Sequence, residues 1–424
     1  MTTRTAIVFV YLAGEPDAVP AGELRLTQLG RDVTSLFIYG TRYLKRPNAI
    51  EIDPVSLAFH STPRKPGEEI TPSNGLSLFG GIRDAAPDSW GRRIIEKRLN
   101  AGGAELSEFT YLMEALDDRV GALDFRENQK SKSRHHPYNR IIQLDELIEC
   151  AARIENDQPV SQELLLLFQY GGTMGGARPK AVVEDDDGLW IAKFPARDDR
   201  FNYPLVEHAT LLMAQECGIH VPTIKLVNAG GRDVLLVKRF DRERVTTGGY
   251  SRKHFNSALT LLGKDETESL GTRYSEIVSA ISKYAPAQSA SDMKKQLFRQ
   301  MVFNILVSNI DDHLRNFGFL SEGTHFSLSP AYDIVPTPAV GFERFQHLSV
   351  GEKGRLSTLD NALSECGVFG LSLSGARQLI NDQLTIVENW KVRFEKSGVP
   401  VSEIEKIASA FRSREHLNWP QVAK

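Results

Sequence analysis

The sequence predicts an α+β chain in which a strand-rich part precedes a helical one. Runs rich in Val, Ile, Phe and Tyr open the chain, two hairpins flank a capped helix between Lys180 and Phe240, and from Asp241 onward the pattern becomes mostly helical. At roughly 100–200 residues per domain, 424 residues allow two to four domains. Hydrophobic residues make up 41% and charged residues 25%, which excludes wholesale disorder. A net charge of −3 argues against a surface that attracts nucleic acid everywhere, though not against a local basic patch. Cys150, Cys217 and Cys366 are too far apart to build a disulfide framework or a zinc knuckle, so a reducing, cytoplasmic setting is expected. No run approaches the ~18 apolar residues of a membrane span. The stretch Ala6 to Ala13 runs straight into Gly14, Glu15, Pro16 and Asp17 and reads as a buried strand rather than a secretory segment.

The elements follow in order. Ala6–Tyr11 and Thr34–Tyr39 read as strands, and Thr62–Gly81, full of Pro, Gly and Ser, as loop. Asp88–Leu99 reads as a helix capped by Asp88 or Ser89, with Ile94, Ile95 and Leu99 on its apolar stripe. These fill a first region, 1–128. Residues 129–140 form a polar, basic linker or loop (Lys130, Lys132, Arg134, Arg140) with no core residue before Ile141. Region 141–245 opens with a helical period to Phe168. It continues with the hairpin Lys180–Val183 and Leu189–Phe194, turning at Asp185–Gly188. A helix follows, capped by Asn202, with Pro204 in its first turn and Gly218 as its stop. The second hairpin, Thr223–Val227 and Asp233–Phe240, turns at Gly230-Gly231. In region 246–424, helices are expected over Gln296–Asn309, Leu379–Lys396 and Ser402–Ser413, with Asp311–Pro338 as the exception.

Four local patterns carry chemistry. Gly171–Lys180 (GGTMGGARPK) holds four glycines, which let a backbone approach a bulky anion. The segment feeds a strand, not a helix, so a glycine lid over nucleotide phosphates fits better than a P-loop; a flexible inter-strand loop is the other reading. Lys193 lies in the apolar strand Leu189–Phe194, where a lone ammonium needs a partner, and Glu207 is the candidate. Asp311 and Asn316, in NIDDHLRNF, stand five residues apart, the Asp-to-Asn spacing of the kinase catalytic loop. There the Asp takes the acceptor hydroxyl's proton and the Asn offers magnesium a neutral oxygen. Asp333, in LSPAYDIVP, follows Asn316 by seventeen residues, about where a second magnesium ligand is expected. Together, in this order, over a strand-rich unit followed by a helical one, they match the two-lobe layout of a kinase. His135-His136 has no metal-ligand spacing around it, and there is no Gly-x-Ser-x-Gly elbow.

With these motifs the chain resembles the HipA-type serine/threonine kinases, the toxins of bacterial type II toxin–antitoxin pairs, over essentially its whole length. The resemblance rests on FGGIRDAAPDSWGRR (79–93), VGAL (120–123), GGTMGGARPK, WIAKFP, VKRFDR (237–242), NIDDHLRNFGF and LSPAYDIVP. It implies a protein-kinase-like two-lobe fold with a β-rich N-terminal subdomain and an all-helical C-lobe. It implies ATP and Mg²⁺, with Gly175, Gly176, Ala177, Arg178, Pro179 and Lys180 as the phosphate lid. Lys193 would hold the α/β-phosphates beside Glu207, and Lys238, Arg239 and Phe240 would form the adenine hinge. Asp311 would accept the proton, with His313 and Tyr332 lining the site and Asn316 and Asp333 on magnesium. Lys238 stands where an acidic residue is familiar, which bears on base selectivity. The resemblance also implies autophosphorylation in the glycine-rich loop, at Thr173, a stiffer acceptor than the family's Ser. A phosphate there would compete with ATP for the same loop. It further implies a protein substrate with a Ser/Thr acceptor (in known cases an aminoacyl-tRNA synthetase), growth arrest, no membrane role, and a small helix-turn-helix antitoxin or repressor through which any DNA is contacted. Two other readings remain: a small-molecule kinase of the aminoglycoside or choline type, and a nucleotide-binding regulatory subunit of a repressor complex.

Overall fold

Apolar residues along the first forty positions build an antiparallel sheet. In the computed structural model, β1 (Thr2–Tyr11) pairs with β2 (Ala18–Leu29), β2 with β3 (Asp32–Tyr39), and β1 also with β4 (Leu123–Arg126), giving the order β3-β2-β1-β4. The structure describes every residue except Met1, Pro16, Arg31, Ala104, His136, 169–175, Thr247, Glu322, Phe342 and 421–424. The chain divides into two compact units. The first holds 1–197, 227–264 and 319–326; the second holds 198–226, 265–318 and 327–424.

In the first unit, Val8, Val10, Leu24, Leu26, Phe37 and Phe79 form one buried cluster. Strand β2 was not expected, because Pro20 and Gly22 interrupt its pattern. The register shifts where Val8 faces Gly22 and Phe9 faces Pro20, and a bulge is where a residue without an N–H fits a sheet. The second sheet runs in the order β5-β6-β7-β9-β8, from β5 (Asn139–Arg140), β6 (Lys180–Asp185), β7 (Gly188–Lys193), β8 (Ile224–Ala229) and β9 (Arg232–Lys238). The acidic turn between β6 and β7 is closed by Asp185 Oδ1, which accepts from the N–H groups of Asp187 (2.8 Å) and Gly188 (3.1 Å). Helices α1 (Ser89–Arg98) and α2 (Leu144–Glu155) supply Trp90, Ile94, Leu147 and Ile154 to a core shared with Phe168, Trp190, Phe194 and Leu236.

Two expectations for this unit need correction. The basic segment before Ile141 is anchored, not free of core contacts. Ser133 donates to Asp117 (2.8 Å), Tyr138 to Asp118 (3.2 Å), and buried Asn139 to the Leu167 and Val182 carbonyls. Buried carboxylates need donors, and this polar segment supplies them. Residues 242–257 are three short strands rather than helix: β10 (Arg242–Arg244), β11 (Tyr250–Arg252) and β12 (His254–Ser257). Arg242 and Arg252 are buried there against Asp118, Asp241 and Asp117, which hydropathy periodicity cannot register. Strands β13 (Gly318–Ser321) and β14 (Phe326–Leu328) extend β12 in the order β12-β13-β14.

The second unit is mainly helical. Helix α3 (Tyr203–Glu216) is capped by Asn202, whose Oδ1 accepts from Leu205 N, and it ends before Gly218 at φ 73°. Helices α4 (Tyr274–Tyr284) and α5 (Ala287–Leu306) pack together, with Leu297, Phe298, Met301, Val302, Ile305 and Leu306 buried as the expected apolar face. Helix α5 starts at Ala287, well before Gln296, through polar first turns that carry no apolar stripe. It stops short of Asn309 because Ser308 turns left-handed at φ 51°. The expected helix over 379–396 is two, α6 (Leu373–Val387) and α7 (Trp390–Lys396), and the C-terminal one is α8 (Val401–Ile407) followed by a 3-10 turn. Among the described residues no helix is long and apolar enough to cross a membrane.

Candidate active site

The loop after α5 begins by being tied down. Ser308 Oγ donates to the Ala410 carbonyl (2.5 Å), and Thr337 N donates to the Ser308 carbonyl (3.1 Å). Asn309 Nδ2 reaches Asn304 Oδ1 (3.1 Å), and Gln346 Nε2 takes the Asn309 carbonyl (2.8 Å). Asp312 points into the core, where Oδ2 accepts the Tyr274 hydroxyl (2.5 Å) and Oδ1 accepts the His347 N–H (2.7 Å). Ser269 Oγ contacts the His347 ring (3.0 Å) and accepts from Leu314 N (3.2 Å). With Asp312 and Leu314 turned inward, Asp311 is left exposed and Asn316 lies just under the surface.

The functional side chains then meet across this fixed backbone. Asn316, in the 3-10 turn Leu314–Asn316, donates Nδ2 to the Asp311 carbonyl at 2.8 Å. That bond fixes the amide plane and commits its nitrogen, leaving Oδ1 as the acceptor. Tyr332 donates its hydroxyl to the Arg315 carbonyl (2.7 Å), bringing the second acidic segment beside the first. Ala331 N is held by the His220 carbonyl (2.8 Å), and Asp333 follows at φ 58°, a left-handed conformation costly for any residue but Gly, Asn or Asp. The Asp311 carboxyl is raised from its ordinary value by desolvation first, with His313 opposing and the Asp333 carboxylate adding to it. Asp312, fully buried, is pushed up to about 6 by desolvation despite the hydrogen bonds from Tyr274 and His347. The structure thus brings Asp311, Asn316 and Asp333 into one electrostatic neighbourhood of the second unit, with His313 and Tyr332. Glu207 lies in the same unit, fully buried in α3.

The remaining expected residues are in the first unit. Gly175 and Thr173 lie outside the described residues. Gly176 and Ala177 are exposed, Arg178 half-buried, and Pro179 and Lys180 buried. Lys193 ends β7 half-buried, opposite Lys180 and Leu235 in register. Lys238, Arg239 and Phe240 line a cavity of about 300 Å³ with Leu189, Tyr250 and Lys253 among the other walls. The Arg239 guanidinium is consumed by Asp118 (2.6 Å) and Asp241 (2.8 Å), and its N–H by the Leu189 carbonyl (2.9 Å), so neither group faces a ligand unpaired. Sequence reading missed Tyr274, His347 and Ser269, which seat the loop; only Asp312, polar beside Asp311 in an apolar setting, signalled that such partners must exist.

The family of the HipA-like C-terminal domain matches residues 172–390, just over half of the chain and the stretch that holds every expected site residue. This chain belongs to the HipA-like family. The HipA-like chain is 28% identical over 189 residues to the Haemophilus influenzae protein named "Putative kinase", covering 39% of this chain and 53% of that protein. It is 25% identical over 344 residues to the Shewanella oneidensis "Serine/threonine-protein kinase toxin HipA", covering 74% and 73%. Of three curated relatives that it matches, the Haemophilus protein among them, the chain spans about half of the length or less. A chain in the solved complex of Shewanella oneidensis MR-1 HipA, HipB and operator DNA superposes with a TM-score of 0.66 at 16% identity, over 96% of this chain and 95% of that one. At that identity the likeness is one of fold, and the HipA-like fold of this chain is the mixed α/β, two-lobe, protein-kinase-like one.

Proposed function

We propose that this HipA-like chain is an ATP- and magnesium-dependent kinase that phosphorylates a Ser or Thr hydroxyl of a protein. The observation that carries the reading is the fixed loop in which Asn316 bonds the Asp311 backbone while the Asp311 and Asp333 carboxyls repel each other. Mutual repulsion of two carboxyls is what a divalent ion would relieve, and magnesium needs only one or two protein oxygens beside phosphate and water. Asn316 Oδ1 and Asp333 are the residues that would hold it, and it would supply charge neutralisation at the phosphates.

The acceptor hydroxyl is oriented and deprotonated by Asp311. Its oxygen bonds the γ-phosphorus as the bond to the β–γ bridging oxygen breaks and ADP leaves, and the proton passes to the Asp311 carboxylate. A carboxyl raised by desolvation is a better proton acceptor than an ordinary one. Backbone N–H groups of 176–178 and the Lys193 ammonium hold phosphate oxygens, and the Lys238–Phe240 backbone meets the base. Thr173 is the self-phosphorylation site that shuts the enzyme down, and growth arrest follows from modification of the target. The Shewanella relative is named a toxin, and its solved complex contains HipB and operator DNA; a small DNA-binding antitoxin is therefore the partner class we assign, with DNA reached through it.

Purified protein incubated with Mg²⁺ and γ-labelled ATP, with and without cell extract, tests this. Labelled protein is the expected product, with Asp311→Asn lowering the rate at least about a hundred-fold while ATP binding persists. Mass spectrometry of the same reaction reads Thr173. Full turnover by Asp311→Asn, or label only on a small metabolite, refutes the reading.

A further inference from the structure

Lys180 closes the glycine-rich segment, and its side chain is turned away from solvent. The ammonium lies 3.0 Å from Asp88 Oδ2, with side-chain exposures of only 4% and 6%. It also donates to the Gly176 carbonyl at 3.1 Å, bridging the described part of the segment end to end. Asp88 is itself fixed, because its Oδ1 caps α1 by accepting from Gly91 N at 2.8 Å. Trp90 donates Nε1 to the Lys180 carbonyl (3.1 Å), and Phe194 N donates to the Pro179 carbonyl (3.0 Å). Trp90 and Phe194 belong to one buried cluster. The first turn of α1 therefore grips the segment's exit by both main chain and side chain.

The grip has a physical purpose. Anion-binding N–H groups are effective only when fixed in advance. Glycines bring no stiffness of their own, and Gly176 sits at φ 101°, so its neighbours must hold it. A Lys at this depth cannot leave Asp88 for a phosphate without stranding a buried carboxylate. We infer that Asp88 and Lys180 are a positioning pair that presets residues 176–180 for nucleotide phosphates, so that the N-terminal region sets nucleotide affinity. This rests on the nucleotide-binding reading above. Neither residue touches the reacting atoms: Lys180 acts through Gly176, and Asp88 through Lys180.

Asp88→Asn in the full chain tests it, with ATP as the probe and at a temperature where circular dichroism shows the variant folded. The expected result is a Kd and KM for ATP raised roughly ten- to a hundred-fold, kcat at saturating ATP within about two-fold of wild type, and faster amide exchange confined to 176–182. The exchanged pair, Asp88→Lys with Lys180→Asp, should recover part of the affinity. Should Asp88→Asn not fold, Asp88→Glu, which keeps the charge but displaces it by one methylene, is measured in its place. A folded variant with wild-type ATP affinity and wild-type exchange overturns the inference. If the wild-type chain itself binds no ATP, the functional reading fails, and the exchange measurement alone decides whether the pair orders the segment.

Discussion

At the scale of single residues, neighbouring carboxylates in one loop have opposite surroundings. Asp311 is exposed and stands against Asp333, whereas Asp312 is buried against Tyr274 and His347. Asp312 is raised from 3.8 to about 6, so the folded state binds its proton more tightly than the unfolded state. Its stabilising contribution is therefore full below about pH 4 and is lost as pH rises through 6, a difference of roughly 3 kcal/mol. Asp312→Asn should flatten the pH dependence of the unfolding free energy between pH 4 and 6, read by urea denaturation. An unchanged slope would show that Asp312 is not the titrating group. The spacing Asp311–Asn316–Asp333 was legible because local sequence distance sets it. Tyr274 was not, since nothing near it in the chain marks it as a carboxylate's partner.

At the scale of elements, the ends of helices were legible where they carry side-chain caps. Asp88 and Asn202 were both read as caps, and each accepts the N–H that its helix leaves unpaired. Replacing Asn202 by Ala should lower stability by about 1 kcal/mol through loss of that bond, measured as a drop in Tm without change in fold. A Tm equal to wild type would mean that α3 is held by packing alone. The start of α5 was missed for the complementary reason: its first turns follow Pro286, have no side-chain cap, and put no apolar stripe on view. Strand β2 was hidden by Pro20 and Gly22, residues that disfavour a regular strand yet suit a bulge.

At the scale of the whole chain, a buried ionic cluster joins segments about 120 residues apart in the first unit. Arg239 pairs with Asp118 and Asp241. Arg242 pairs with Asp241 (2.8 Å) and donates to the Arg119 carbonyl (2.6 Å), and Gly121 N donates to Asp241 (2.8 Å). Burial alone would raise Asp241; Arg239 and Arg242 outweigh it and hold the carboxyl well below the usual range. Arg239→Met leaves Asp118 and Asp241 short of a cation and should destabilise the fold by roughly 3–5 kcal/mol. The loss should be nearly insensitive to added salt, because exposed pairs are screened and this one is not. Chemical denaturation at two salt concentrations measures it, and a loss under about 1 kcal/mol would reassign the cluster to a minor role.

What the sequence determined by itself is whatever depends on short range. Hairpin turns at Asp185–Gly188 and Gly230-Gly231, helix caps, the apolar face of α5 and the order of the acidic motifs all follow from residues within a few positions of one another. Tertiary structure alone decided which polar side chains are buried together: Asp312 with Tyr274, Lys180 with Asp88, Arg239 with Asp118. Sequence pattern records where apolar residues recur, but a charge buried against a distant counter-charge has the same local signature as one in water, and only the folded chain distinguishes them.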